Sequence, residues 1–242
     1  RLSLVGSEMC IRDRPTIVVH PCEANALRGA LEATQAGLIT PILVGPRQKI
    51  AATASEAGLD IDGLTVEDVP HSHAAAERGV ALIRQGRGEL LMKGSLHSDE
   101  LLHAVADREN GLRTERRLSH VFAMSVPSYH KPLFVTDAAV NIFPGLEDKA
   151  DICRNVIQML HALGIEQPKV ALLSAVETVT AKLPSTLEAA ALVVMSRRGQ
   201  IDGALLDGPL AFDNAINAEA ARVKGIHLSL IHISEPTRLR RI

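Results

Sequence analysis

Short β-branched runs alternate with Ala-rich helical stretches through this chain, and that alternation restricts its fold more than any other feature. TIVVH (Thr16–His20) stops at Pro21, as a buried strand should. EANALRGALEATQAGLI then carries helical spacing with a Gly near its end. TPILVGP reads as a second strand and RQKIAATASEAGLDI as a helix. GLTVEDVP and GELLMKG are further strands, separated by the helix SHAAAERGVALIRQG. After a polar, arginine-bearing section, SHVFAMSVP and KPLFVTDAAV read as adjacent strands joined by a turn. The helix LEDKADICRNVIQMLHALGI, strand KVALLSAVE, helix STLEAAALVVMSRRGQ, strand IDGALLDGP and a last helix DNAINAEAARVKGI complete the order. Strands interleaved with helices of this length predict βαβ units, a parallel sheet and an α/β fold. No repeat or flexible linker interrupts the pattern, and two α/β lobes are expected, residues 15–125 and 126–227.

Composition agrees. Of 242 residues, 46% are hydrophobic but only 2% aromatic, and aliphatic strands with Ala-rich helices suit a sheet buried on both faces. Scarce aromatics remove the stacking platforms that single-stranded nucleic acid needs. A formal charge of −2 gives no footprint for nucleic acid or an acidic membrane, and no apolar run approaches a membrane span. Cys10, Cys22 and Cys153 share no metal-ligand spacing, so a reducing cytoplasm is the expected compartment.

The two ends read as foreign. The tail LSLIHISEPTR can be encoded by a DNA whose reverse complement, in another frame, translates as LVGSEMCIRD followed by Arg or Ser. That matches Leu4 to Arg14, and the DNA resembles a common sequencing-library adapter. Residues 1–14 and 228–242 are therefore expected to be non-native and to carry no fold information.

Ligands of α/β sheets bind beyond the carboxyl ends of the strands. Four strand exits here are polar or carry glycine. LLMKGSLHSDE places Lys93, Gly94, Ser95 and His97 before a helix, where free N–H groups suit an anion. The same residues also fit an ordinary cap at Ser98 with Asp99 and Glu100 in the first turn. GLRTERRLSH gathers Arg113, Arg116 and Arg117, whose guanidinium forks suit phosphate or carboxylate but equally a solvated loop. His120 reads as a hydrogen-bonded structural residue ahead of a strand. TDAAVNIFP brings Asp137 and Asn141, and DGPLAFDNA brings Asp207, Pro209, Asp213 and Asn214. Turn chemistry, with Asp213 as an N-cap, competes with a functional role at both. Ser174 and Glu177 in LLSAVE are equally ambiguous. G-x-G-x-x-G, a P-loop, a G-x-S-x-G elbow and a zinc spacing are all missing from the sequence. The residues alone point to an anion-handling α/β enzyme.

In order along the chain, LMKGSLHSDELL, GLRTERRLSHVF, PLFVTDAAVNIFP, PKVALLSAVETV, PSTLEAAAL and RGQIDGALLDGPLAFDNAI resemble the phosphate acetyl/butyryl transferase family. The resemblance covers residues 15–226. It implies reversible transfer of an acyl group, expected to be acetyl, between coenzyme A and inorganic phosphate. It also implies two lobes of the isocitrate/isopropylmalate dehydrogenase-like fold with the active site in a cleft between them. A homodimer or larger homo-oligomer is expected, no metal or other cofactor is demanded, and coenzyme A is a substrate. Some relatives carry an N-terminal hydratase domain. Lys93, Gly94, Ser95, His97, Arg113, Asp137, Asn141, Asp207, Pro209, Asp213 and Asn214 fall on motif positions and are the expected substrate-binding residues. A butyryl transferase is the near alternative, and a coenzyme A/phosphate-binding module without turnover the more distant one. A decarboxylating dehydrogenase of related fold would need metal-binding aspartates and a nicotinamide site that the sequence does not show. The family's catalytic Ser–Arg pair and nearby Asp have no match in this sequence, so an incomplete C-terminus and little or no turnover are expected.

Overall fold

The structure, a computed structural model, describes residues 14–129 and 131–225. The described chain divides into two compact units, one running to Thr114 and the other beginning at Glu115. In the first, β1 (Arg14–Val19), α1 (Ala24–Gln35), β2 (Ile39–Gly45), α2 (Arg47–Ala57), β3 (Thr65–Asp68), α3 (Ser72–Arg84), β4 (Leu90–Lys93) and α4 (Ser98–Ala106) follow one another. The four strands form one sheet in the order β3-β2-β1-β4, every pair parallel.

Alternation along β1 explains the two-faced core. Ile17 and Val19 point to one side, where they cluster with Ala75, Ala76 and Leu82 of α3 and Leu101 of α4. Val18 points to the other, against Leu27 and Ala30 of α1 and Ile50 and Ala54 of α2. Leu43 and Val44 of β2 divide in the same way between the two clusters. Both faces are covered, so the strand needs apolar residues at successive positions rather than every second one. The first two crossovers step in one direction and the third steps back past β1. With right-handed crossovers, that reversal puts α3 on the face opposite α1 and α2.

An ionic cluster ties β3 to α3. Glu67 accepts from Arg78 Nε and Nη2 at 3.1 and 2.7 Å and from Arg87 Nη1 at 2.7 Å. The hydrogen bonds from Arg78 and then Arg87 hold the Glu67 carboxyl below its ordinary value of 4.5. A depressed folded-state value means that the contribution is present above the unfolded value and lost as pH falls through the folded one. Glu67→Gln is accordingly expected to lower the melting temperature at about pH 7, by an amount that shrinks as pH falls below the ordinary value of 4.5 and through the lower folded one. Thermal melts of both proteins across that range check the result.

The second unit contains β5 (Val121–Met124), β6 (Leu133–Thr136), α5 (Leu146–Ala162), β7 (Lys169–Leu173), α6 (Pro184–Arg197), β8 (Leu205–Leu210), α7 (Phe212–Ile216) and α8 (Ala218–Val223). β5 and β6 pair antiparallel, whereas β7 and β8 pair parallel. Its core joins Ala150, Cys153 and Ile157 of α5 to Leu192 of α6, Ile201 and Leu206. Asp148 accepts the Gly145 N–H at 3.1 Å at the start of α5, and Pro184 opens α6, where a missing N–H costs nothing. Gly208 is required by close approach: a Cβ there would lie 2.7 Å from both the Leu172 Cβ and its carbonyl oxygen.

Four expectations from sequence are corrected. The division between units falls at Thr114–Glu115 rather than at residue 125, because β5 is hydrogen-bonded to β6 of the second unit. Arg14, the last residue of the segment read as foreign, is the first residue of β1 and pairs with Ile39, which leaves its origin untested. The last helix is two helices, broken at Asn217 (φ −130°), whose side chain accepts from the N–H groups of Glu219 and Ala220. Ser98 is the first residue of α4 and not its cap, a position held by His97. Ala211, not Asp213, caps α7. Residues 1–13 and 228–242, the remainder of the segments read as non-native, lie outside the described residues.

Candidate anion site

Strand order 3-2-1-4 reverses at β1, so the sheet's topological switch point lies between the exits of β1 and β4. Five hydrogen bonds lace these exits together. Gly94 N donates to the Val19 carbonyl (2.9 Å) and Ser95 N to the His20 carbonyl (2.9 Å). Ser95 Oγ donates to the same His20 oxygen (2.8 Å) and accepts from Cys22 N (2.9 Å), while His20 Nδ1 lies 3.3 Å from the Ser95 carbonyl. Gly94 lies so close to β1 that a Cβ would sit 2.5 Å from the Val19 oxygen and 2.6 Å from the His20 oxygen. The KGS motif is thus a backbone clasp. The N–H groups of Gly94 and Ser95 are spent within the protein, and the exposed Lys93 ammonium is left, its Nζ within 3.4 Å of the Gly94 carbonyl and with no other hydrogen bond among the described residues.

His97 is exposed at the start of α4 and its side chain makes no capping bond. Asp99 and Glu100 occupy the first turn of that helix and offset the positive end of its dipole. Any anion at this edge is therefore drawn by Lys93 more than by the helix. Arg113 belongs to the same unit; it is exposed, and its guanidinium forms no hydrogen bond or ion pair among the described residues.

In the second unit, the carboxyl of Asp137 accepts from the N–H groups of Ala139 (3.0 Å), Val140 (3.0 Å) and Asn141 (3.1 Å) and from the Asn141 amide. Burial pushes this carboxyl up, but those hydrogen bonds together hold it below its ordinary value. Asn141 also accepts from Arg117 Nε at 2.6 Å and donates to the Leu118 carbonyl at 2.9 Å. Arg117 further pairs with Asp148 (3.3 Å), and Arg116 donates to Gln158. Of the three clustered arginines, Arg116 and Arg117 therefore organise the second unit. His120 is half structural: its carbonyl accepts from Thr136 Oγ1 (2.6 Å) and its ring stands edge-on to Phe122, but its buried Nδ1 has no hydrogen-bond partner among the described residues.

The β8 exit supplies a second polar knot. Asp207 Oδ1 accepts its neighbour Gly208 N–H, and Pro209 follows through a cis peptide. Asn214 is completely buried and donates from Nδ2 to Glu177 Oε1 on the β7 exit. Lys224 donates to the same Glu177 oxygen at 2.6 Å and to Asp213 at 3.1 Å. The Lys224 ammonium, through hydrogen bonding first, holds both Glu177 and Asp213 below their ordinary values. Sequence reading gave Lys224 no role, since its partner Glu177 lies 47 residues away and no motif links the two. His20 was overlooked too, although a histidine at a strand's carboxyl end, directly before a proline, marked the place.

The parallel sheet of the first unit thus presents the exposed Lys93 at its carboxyl edge, beside the switch point. Comparison with known proteins identifies the family. Residues 71–231 match the family described as phosphate acetyl/butaryl transferase. The chain is 63% identical over 212 residues to a phosphate acetyltransferase of Rhizobium meliloti, covering 88% of this chain and 67% of that protein. It is 40% identical over 200 residues to a phosphate butyryltransferase of Clostridium acetobutylicum, covering 83% and 66%. The structure superposes with a TM-score of 0.72 on a branched-chain phosphotransacylase from Enterococcus faecalis V583, at 25% identity, covering 87% of this chain and 74% of that one. The chain belongs to the phosphate acetyl/butyryl transferase family. It spans 60% to 67% of the lengths of four of the phosphate acetyltransferases it matches.

Proposed function

We propose that this chain belongs to an enzyme of reversible acyl transfer between coenzyme A and inorganic phosphate, with acetyl as the acyl group. The observation that carries the reading is the 63% identity to a phosphate acetyltransferase over nearly nine tenths of the chain. Identity to the butyryl transferase is lower, at 40%, which favours the shorter acyl group. In this reaction a phosphate oxygen attacks the thioester carbonyl carbon, the C–S bond breaks, and the thiolate of coenzyme A departs. Phosphate is a weak, doubly charged nucleophile, so holding it against the carbonyl is most of the task. Lys93 and Arg113, cations without a carboxylate partner among the described residues, are the groups proposed to hold phosphate or the phosphates of coenzyme A. Gly94 and Ser95 shape the edge that carries Lys93, and His97 flanks it. Asp137, Asn141, Asp207, Pro209, Asp213 and Asn214 are proposed to build the substrate-facing exits of the second unit. A two-lobed dehydrogenase-like architecture, a homo-oligomeric assembly and a cytoplasmic setting, with Cys22 and Cys153 as free thiols, complete the proposal.

The test separates binding from turnover. Titration calorimetry is expected to detect coenzyme A and phosphate binding, and Arg113→Ala is expected to weaken phosphate about tenfold, as loss of one charged hydrogen-bond donor should. Unchanged phosphate affinity would remove Arg113 from the site. Because the family's Ser–Arg pair has no match in this sequence, acetyl-phosphate-dependent formation of acetyl-CoA is expected near background. In an active relative, competition by butyryl-CoA ranks the acyl chains.

A further inference from the structure

We propose that His20 is a positioning residue of the anion site at the β1–β4 switch point, acting through the Lys93–Ser95 segment; the proposal rests on the reading of that site given above. His20 is the one non-glycine residue with a positive φ among the described residues, at 55°. Histidine enters this region more readily than most residues, but not without cost, and such a conformation persists only where its surroundings enforce it. Here the enforcement is visible. The His20 carbonyl is held by Cys22 N, Ser95 N and Ser95 Oγ at 2.9, 2.9 and 2.8 Å. The residue is 8% exposed, and its Cδ2 would lie 3.7 Å from a Cβ built on Gly45, so the ring reaches over the end of β2.

A turn off β1 would need only the backbone conformation, which glycine or asparagine supplies. The ring adds something a turn does not require: Nδ1 meets the Ser95 carbonyl at 3.3 Å. A carbonyl oxygen can only accept, so this contact places the proton on Nδ1. Ser95 is thereby held at its N–H, its hydroxyl and its carbonyl by one residue, and the whole β4 exit is fixed relative to β1. Lys93 is the last residue of β4, one step before this clasp. A fixed exit reduces the ordering that Lys93 must undergo when it meets an anion.

The experiment uses the full chain, with inorganic phosphate and coenzyme A as probes in calorimetry. His20→Ala is expected to weaken phosphate binding about tenfold, the worth of one hydrogen bond. His20→Asn keeps an amide donor and tolerates positive φ, and is expected to bind within about threefold of wild type. His20→Gly relieves the backbone cost without restoring a donor; it is expected to bind as weakly as the alanine variant while melting at least as high, and it carries the test if the alanine variant does not fold. Long-range 1H–15N correlation spectra of the wild type are expected to show the proton on Nδ1. If the wild type binds phosphate and the glycine or alanine variant binds it equally well, the proposal is overturned and the site reading survives. A proton resident on Nε2 overturns the proposal as well. A wild type with no affinity for either probe overturns the site reading itself, and the proposal with it.

Discussion

Gly94→Ala is expected to cost about 3 kcal/mol of folding stability, the upper range for forcing an extra methyl into a packed site. The cost is large because what the methyl meets cannot move away cheaply. Its three nearest atoms would be the Val19 oxygen and the His20 oxygen and carbonyl carbon, at 2.5, 2.6 and 2.7 Å, all main chain. Relief requires β1 and β4 to separate at their exits, which breaks the Gly94–Val19 and Ser95–His20 hydrogen bonds. Urea denaturation measures the loss, and Gly29→Ala provides the control. Gly29 lies within α1 with nothing inside 4 Å of a new Cβ, so alanine there is expected to stabilise by about 0.5–1 kcal/mol. Equal stability of the Gly94 variant and the wild type would show that the two exits are not clasped as described.

Asn214→Asp is the second large effect, expected to destabilise the chain by about 3 kcal/mol at neutral pH, as an uncompensated buried charge does. The substitution barely changes shape. It replaces the Nδ2 donor to Glu177 with an acceptor, in a side chain with no solvent exposure. Burial and the facing Glu177 carboxylate both raise the folded-state value of the new carboxyl above its ordinary value of about 4. A raised value means that the deficit is small below the unfolded value and grows as pH rises toward the folded one. The variant should approach wild-type stability near pH 4 and diverge above it. Asn214→Ala, which loses the donor but adds no charge, should show a smaller deficit without that slope. A pH-independent loss for the aspartate variant would mean that the new carboxyl is neither buried nor facing Glu177.

Much of the fold was legible because burial on both faces writes itself into sequence as unbroken apolar strands. TIVVH and TPILVGP show this, and each later strand was placed by the same signal. The broken final helix was missed because NAINAEAA keeps helical composition across Asn217, and only the cap it forms with Glu219 and Ala220 reveals the stop. The candidate site divides similarly. Motif position located KGS, DAAVN and DGPLAFDNA, but it could not separate residues that face a ligand from residues that hold the chain. Asp137 and Asn214 turned out to be spent on internal hydrogen bonds, whereas Lys93 and Arg113 were left uncommitted.

By itself, the sequence determined the α/β class, the order of elements and the family. Periodicity and motif strings are local properties, and burial of each element's apolar face enforces them one segment at a time. Tertiary structure alone decided the strand order, the switch point beside His20, the clasp of β1 to β4 and the Glu177–Asn214–Lys224 knot. The clasp and the knot join residues 37 to 75 positions apart through side-chain hydrogen bonds, and a bond of that kind leaves no period in the chain that forms it.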